Sequence, residues 1–369
     1  MRARRVAVIG AGHGGQAMAA YLGLLGYHVT LYNRSPERLR PIAEAGGIYL
    51  EGEVNGFGPV ERVATEVGPE LREYRLVMVV VPATAHRAVA RWCARYLSDG
   101  QVVVLHPGRT GGALEFHTAL RECGNRADVL VGEAQTLVFA SRVTGPALVR
   151  VFGFKRRVTA AALPAVRNPE LVAALREVLP CFTAAESVLE TSLDNMGAVF
   201  HPAPLLLNAG RVEATGGRFE YYREGITPGV ARVLEAIDRE RLAVAAALGL
   251  RLRSAREWLA EAYGAQGSTL YEALQASPSY RGIGAPGTLA HRYLEEDVPA
   301  SLVPLSALGG QLGVPTPAID AVIDLASALH GVDYRRQGRT LEAMGLDGMT
   351  PEQIRHWVTL GEPDEAMVV

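Results

Sequence analysis

The first fifteen residues constrain this chain more tightly than any other part of it. The apolar run RVAVIG leads straight into Gly10-Ala11-Gly12-His13-Gly14-Gly15, after which the sequence turns Ala-rich and helical in period. Gly10, Gly12 and Gly15 fit the spacing GxGxxG, with Ala19 four residues on. In a strand–turn–helix unit each glycine has its own task. Gly10 permits the tight turn, Gly12 lets the backbone approach a pyrophosphate, and Gly15 lets helix and strand pack closely. The pyrophosphate then rests on the helix N-terminus, where free N–H groups and the helix dipole favour an anion. His13 and Gly14 complete the loop. Glycine-rich turns also occur without a ligand, but the place directly after a strand and before a helix favours dinucleotide binding.

Which dinucleotide is decided at the end of the second strand, where an NAD-preferring unit places Asp or Glu against the ribose 2′-OH. Here HVTLYN continues into Arg34 and Ser35, with no acid before Glu37. Asn33, Arg34 and Ser35 can donate to a 2′-phosphate, Arg34 with its planar fork, and Arg38 one helical turn on can close the pocket. Both arginines would also serve as solvated residues at a helix start. The expected cofactor is NADP(H), with NAD(H) still admitted. Val81-Pro82-Ala83 and His106-Pro107-Gly108 end two further strands and are expected to line the nicotinamide ribose, although strand termination alone accounts for them equally well.

Up to about residue 185, β-branched runs (RVAVIG, HVTLYN, RLVMVVVP, QVVVLHP) alternate with helical segments at 14–25, 36–45 and 84–96. That alternation predicts a doubly wound parallel sheet. The stretch LVFASRVTGPALVRVFGFKRRVTAAA is expected to finish the same sheet. From 188 onward the segments 188–200, 203–214, 229–248, 253–263, 302–312 and 317–330 read as helices, punctuated by Pro and Gly. The expected architecture is an α/β Rossmann-type domain over 1–187 followed by an all-α domain over 188–369. GEPDEAMVV reads as a frayed tail. With 37 basic against 39 acidic residues, no charge excess points to nucleic acid. No run of about 18 apolar residues points to a membrane span. The basic start breaks on His13 and Gln16 with no cleavage site, and the 3 cysteines have no CxxC spacing. A reducing compartment fits best, and the chain reads as cytoplasmic with no metal site.

Two of the nine histidines stand in unusual company in the second half: His201 in AVFHPAPLLLNAG and His291 in HRYLEEDVP. His201 precedes a proline at a break between apolar segments. It reads equally as a core histidine and as a proton donor aimed into a cleft. Pro299 is expected to stop a helix near Asp297 or Val298, which leaves Asp297 free to orient a histidine as in a catalytic dyad. Arg292 can pair with Glu296 at i,i+4 on the surface, or grip a substrate carboxylate in bidentate fashion.

The segments HPGRTGGALEF (106–116), GEAQTLVFASR (132–142), DNMGAVFHPAPLLLNAG (194–210), YRGIGAPGTLAHRYLEEDVPASLVPLSALGGQLGVPTPAID (280–320) and DYRRQGRTLEAMGL (333–346) resemble the octopine/opine dehydrogenases over nearly the whole chain. The resemblance implies a Rossmann domain followed by a helical domain. It implies NAD(P)H-dependent condensation of an amino acid with a 2-oxo acid, commonly pyruvate, to a secondary-amine dicarboxylate. It assigns the catalytic histidine to His201, its partner to Asp297, the carboxylate-binding arginine to Arg292 and a substrate-pocket threonine to Thr136. A homodimer through the helical domain fits such an enzyme. Tyr271, Tyr280 and Trp258 are candidates for an amine pocket or for core. Ketopantoate reductases and related two-domain enzymes depend on a lysine in the helical domain, and this chain has no lysine after Lys155. A simple 2-oxo acid reductase and a non-catalytic NADPH sensor are the remaining alternatives.

Overall fold

A computed structural model of the chain describes residues 4–361, so the first three residues and the tail beyond Gly361 lie outside the description. Twelve strands are present among the described residues. They are β1 (Arg5–Ile9), β2 (His28–Tyr32), β3 (Gly47–Gly52), β4 (Gly56–Pro59), β5 (Arg62–Ala64), β6 (Leu76–Val79), β7 (Val102–Leu105), β8 (Leu130–Ala134), β9 (Phe139–Gly145), β10 (Leu148–Phe154), β11 (Val158–Leu163) and β12 (Phe182–Ala184). Eight of them form one sheet in the order β12-β11-β8-β7-β6-β1-β2-β5, parallel except where β11 meets β8. Every residue of β6, β7 and β8 is buried, as continuous apolar runs covered on both faces require. The connections run outward in one direction from β1 and in the other from β6. The switch point where open α/β sheets bind ligands therefore lies between those two strands.

The stretch 137–162 does not simply finish that sheet. β9 and β10 alternate buried and exposed residues, a pattern for a sheet with one covered face, and they join a second sheet in the order β4-β3-β10-β9. Only β11, which is almost continuously buried, stays in the main sheet. The helices of this part are α1 (His13–Leu24), α2 (Pro36–Ala45), α3 (His86–Cys93), α4 (Gly112–Glu122) and α5 (Asn168–Val178). Helix α1 packs against β2 and against β3, β4 and β9 of the small sheet, which explains its apolar character all round. At Gly23 a side chain would come within 2.2 Å of the Pro59 carbonyl oxygen.

Thirteen further helices follow: α6 (Val188–Leu193), α7 (Met196–Phe200), α8 (Pro202–Leu207), α9 (Ala209–Thr215), α10 (Pro228–Ala247), α11 (Ala255–Tyr263), α12 (Leu270–Ala276), α13 (Arg292–Glu295), α14 (Val303–Leu312), α15 (Pro317–His330), α16 (Tyr334–Gln337), α17 (Leu341–Met344) and α18 (Pro351–Leu360). The contacts group residues 109–111 with 192–355 as one unit, and the remaining residues as another. The fading strand signal by itself suggests a single break at 187/188. Helix α10 runs through the centre of the helical unit, with Thr227 capping its start. Its buried Arg241 donates to Asp238 Oδ1 and to the Leu193 and Arg253 carbonyls, while Asp238 Oδ2 accepts from Ala255 N. Removing one member of such a satisfied buried pair costs about 3–5 kcal/mol. Among the described residues no helix is long and apolar enough to cross a membrane, and no group of His, Cys, Asp and Glu could hold a metal ion.

Candidate active site

In the α/β unit, the turn after β1 shows which glycines are structural and which leaves room for a ligand. Gly10 adopts φ +113°, and a Cβ there would lie 2.2 Å from the Val80 carbonyl oxygen. A Cβ on Gly15 would lie 1.8 Å from the Gly10 oxygen, and one on Gly14 would lie 2.5 Å from Leu137 Cδ2. Gly12 is different: the nearest atom to its missing Cβ is Arg38 Nη1 at 4.0 Å. Gly12 also caps α1 without offering a side-chain acceptor, so first-turn N–H groups remain for an anion. The donor set and the open face of Gly12 fit a dinucleotide pyrophosphate.

The surrounding residues hold this turn in place. His13 Nδ1 accepts from Val143 N at 3.0 Å and its carbonyl accepts from Ser141 Oγ, which fastens the loop to β9. Val81 Cγ1 would stand 2.9 Å from a Cβ on Gly10, so the end of β6 borders the turn, with Pro82 exposed and Ala83 buried behind it. Asn33 also has a structural role. Its Oδ1 accepts from Ala11 N at 3.0 Å and its Nδ2 donates to the Ser35 carbonyl at 3.2 Å. The amide therefore braces the glycine turn against the end of β2, while Nδ2 keeps a second N–H. Arg34 and Arg38 are exposed, neither has an ion-pair partner among the described residues, and the Ser35 hydroxyl makes no cap bond to α2. Thr136 is half-buried in the same unit, where its hydroxyl accepts from Lys155 Nζ. His106, at the end of β7, is fully buried, and burial pushes its ring down to about 3.

The helical unit brings His201, Asp297 and Arg292 together. His201 ends α7 and starts α8, in the break that Pro202 enforces. Its Nδ1 lies 2.8 Å from Asp297 Oδ2, its ring stacks on Tyr293 at 4.0 Å, and its carbonyl accepts from the Tyr221 hydroxyl at 2.6 Å. Two contacts thus fix the ring and the third holds its backbone, and Nε2 is left as the nitrogen able to meet a substrate. Asp297 is 0 % exposed. Burial by itself would raise its carboxyl, but the Arg109 guanidinium, then His201 and Arg292, outweigh burial and hold it below the ordinary carboxylate range.

The chain does not simply stop before Pro299. Helix α13 ends at Glu295, and a π-wound segment over Val298–Leu302 carries the chain into α14. Pro304, which has no N–H, leaves carbonyls of this segment without a helical donor: Pro299 accepts from Arg339 N and Ala300 accepts from Thr110 N. His291, the other histidine singled out, caps α13 by accepting from Tyr293 N, and burial lowers its ring.

Arg292 makes the i,i+4 pair with Glu296, through Nε at 2.9 Å and Nη2 at 2.6 Å. Glu296 is buried, whereas the Arg292 side chain is 58 % exposed. A guanidinium has a second edge, Nη1–Nη2, and this pairing leaves that edge able to accept another carboxylate. Three residues without an expected role complete the site. Arg109 lies 3.4 Å from Asp297 and 3.5 Å from Glu296, and it donates to Asn195 Oδ1 at 3.1 Å. Asn195 caps α7 and donates to Ser301 Oγ at 2.8 Å. A Cβ on Gly197 would lie 2.4 Å from Arg109 Nη1, so only glycine leaves space for that guanidinium. All three fall in the motifs HPGRTGG and DNMGAVF, but nothing in their spacing shows that they meet. Tyr280 and Trp258 belong to an aromatic cluster with Phe200, Tyr222 and Tyr263, and Tyr280 is buried in it. Tyr271 makes no ring contact with that cluster.

Comparison with known proteins agrees with this division. Residues 184–330 match the family model "NAD/NADP octopine/nopaline dehydrogenase, alpha-helical domain", and residues 6–164 match "Ketopantoate reductase PanE/ApbA". The opine dehydrogenase of Arthrobacter sp. (strain 1C) is 44 % identical over 356 residues, 96 % of this chain and 99 % of that protein. An octopine dehydrogenase structure with NADH and L-arginine shares the fold at a TM-score of 0.79 and 22 % identity, over 95 % of this chain and 97 % of its own. Yersinopine dehydrogenase bound to NADP+ shares it at 0.74 and 18 % identity, over 93 % and 99 %. The ketopantoate reductase family model stops at residue 164, and the near-full-length match to an opine dehydrogenase at 44 % identity decides between the two. The chain belongs to the opine dehydrogenase family, nicotinamide-dinucleotide-dependent oxidoreductases that act on the CH–NH group of their donors.

Proposed function

We propose that this enzyme joins the amino group of an amino acid to the keto carbon of a 2-oxo acid, pyruvate first among them, at the expense of NADPH, and runs the reverse oxidation. The observation that carries this reading is the buried Asp297 against His201 Nδ1, with the exposed edge of Arg292 on the same unit. Octopine dehydrogenase structures that contain L-arginine, agmatine or pyruvate support an amine and a keto acid as the substrate classes.

After the amine adds to the keto carbon, the hydroxyl of the adduct must leave as water. His201 Nε2 delivers the proton that this departure needs, while Asp297 stabilises the imidazolium and keeps Nδ1 engaged. Arg292 grips the carboxylate of the keto acid through its Nη1–Nη2 edge and so orients the imine carbon. The nicotinamide, when bound, supplies the hydride that reduces the imine to the secondary amine. Gly12 and the first turn of α1 hold the pyrophosphate. Arg34, Ser35 and Arg38 hold a ribose 2′-phosphate, which favours NADPH over NADH. Thr136 belongs to the substrate pocket, Val81-Pro82-Ala83 border the nicotinamide ribose, and the enzyme works in the cytoplasm as a homodimer.

The decisive experiment follows NADPH absorbance with pyruvate plus pooled amino acids and identifies the product by mass. Consumption that requires both substrates, with a product of amine plus keto acid minus one oxygen, is expected. Oxidation with keto acid alone would replace this reading with a 2-oxo acid reductase. Tight NADPH binding without turnover of any pair would replace it with a sensor.

A further inference from the structure

Arg109 follows β7 closely in sequence, yet it is bound into the helical unit. Thr110 N donates to the Ala300 carbonyl at 3.2 Å, Thr110 Oγ1 to the Ser192 carbonyl at 3.1 Å and Gly111 N to Ser192 Oγ at 2.9 Å. Arg339 Nη1 donates to the Thr110 carbonyl. Arg109 itself adopts φ +61°, a left-handed conformation that a non-glycine residue holds only where its surroundings over-determine it. Its side chain is 11 % exposed and reaches Asp297, Glu296 and Asn195, in space that Gly197 vacates. Glu296 thereby lies between two guanidiniums, those of Arg109 and Arg292. A buried carboxylate at Asp297 would prefer to be neutral, and a neutral carboxyl could donate to His201 as readily as accept from it.

We infer that Arg109 is a positioning residue for the proposed condensation reaction, and thus rests on that reading: it holds Asp297 as an anion, so that His201 keeps its proton on Nδ1 when neutral and its charge is stabilised when protonated. Arg109 touches neither substrate nor cofactor in this role. It acts through Asp297, and through Glu296 it shares a carboxylate with the arginine proposed to grip the keto acid. The other titratable groups facing Asp297 are His201, Arg292, Tyr221, Tyr293 and His291. Of these, Arg292 is the one permanent cation, and it is mostly exposed.

The test is Arg109→Met with three readouts. Turnover should fall roughly 100-fold, short of the ~10⁴-fold that loss of an orienting carboxylate costs, while NADPH affinity stays within about twofold. The acidic limb of the kcat profile should move to higher pH, because Asp297 without its cation takes up a proton earlier. In an Asp297→Asn background, Arg109→Met should cost less than about threefold further, since both changes remove the same thing. Arg109→Lys, which keeps the cation, should restore the position of the acidic limb. A fall in turnover with an unmoved limb, or full multiplication of the two losses, would overturn the inference and leave a purely structural residue. Should Arg109→Met fail to fold, Arg109→Gly removes the guanidinium and suits the left-handed backbone. Millimolar guanidinium should then restore its rate, and a folded variant without rescue overturns the inference. If the native enzyme turns over no substrate pair, the functional reading fails by itself. The role of Arg109 then stands or falls on 15N shifts of the His201 ring. A loss of the Nδ1–H form in Arg109→Met supports it, and an unchanged tautomer refutes it.

Discussion

The glycine turn after β1 and the His201 site are built by opposite means. The turn works by omission. Within six residues, side chains are absent wherever one would strike backbone, and Gly12 alone faces open space. The helical site works by accumulation of charge around a buried centre: Arg109, Glu296 and Asp297 lie inside, His201 and the exposed Arg292 border them, and the Asn195 amide braces Arg109. The first site fails sterically, when an atom is added. The second fails electrostatically, when one is taken away. Each can therefore be broken without the other, and the pattern of damage tells whether the division of labour is right.

The largest effect is expected at His201. His201→Ala should lower turnover by ~10³-fold or more, because proton delivery and its orientation are lost together, while NADPH binding measured by fluorescence stays within about twofold. Turnover within tenfold of the native enzyme would take His201 out of the mechanism. Arg292→Ala should instead raise the KM for the keto acid roughly 10- to 100-fold with a smaller change in kcat.

At the turn, the prediction is a split between neighbouring glycines. Gly12→Val places its Cβ where the nearest atom, on the flexible Arg38 side chain, is 4.0 Å away, so the melting temperature should hardly move while NADPH affinity falls roughly 10- to 100-fold. Gly10→Val forces both a contact at 2.2 Å and a left-handed φ, so that variant should lose several kcal/mol of stability, read by denaturant titration. Equal damage to stability from both would mean that Gly12 is structural as well.

The same contrast explains what could be read in advance. The turn lies in one contiguous stretch with local geometry, so the spacing of its three motif glycines names their tasks. The strands β6 and β7 announce themselves because burial on both faces leaves no polar gap in them, and β1 and β2 differ only by a polar first residue and by Thr30. The β9–β10 hairpin misled because a run of strand formers does not state which sheet it joins. Only its alternation, set against the continuity of β11, does so. The bracing role of Asn33 stayed hidden because composition shows donors but not which of them are already engaged. In the helical unit, His201 and Asp297 are 96 residues apart. Proline breaks drew attention to each and resemblance to a family assigned them as partners, since no spacing rule brings them together. Arg109 escaped altogether, because a left-handed arginine after a strand leaves no trace in periodicity.

A smaller effect tests the far end of the glycine site. Arg34→Ala and Arg38→Ala should each reduce the preference for NADPH over NADH by about tenfold, the worth of one or two charge-assisted hydrogen bonds to a 2′-phosphate. Arg38 should matter more for overall affinity, since its guanidinium also stands against Gly12. Equal apparent affinities for both cofactors in the native enzyme, unchanged in the variants, would assign these arginines to solvent.

The smallest effect concerns a histidine that resembles His201 only in name. His106 is buried at the end of β7, faces Met78 Sδ through Nε2 and the edge of Phe182, and has no carboxylate partner among the described residues. Burial holds its ring neutral down to about pH 3, whereas in the unfolded chain it titrates near ~6.5. Below ~6.5 the unfolded chain therefore binds a proton that the fold refuses. This single group lowers stability by up to ~1.4 kcal/mol for each pH unit of further acidification. His291, lowered in the same direction, adds to the slope. Asp297 acts in a different window: its depressed carboxyl contributes fully above the ordinary carboxylate range and is lost only as pH falls below it. Denaturant titrations between about pH 6.5 and about pH 4.5 thus read the histidines with little contribution from Asp297. Replacing His106 by Asn should flatten that slope by roughly 1 kcal/mol per unit. An unchanged slope would mean that the ring takes up its proton inside the fold, and that burial without a partner is not what separates His106 from His201.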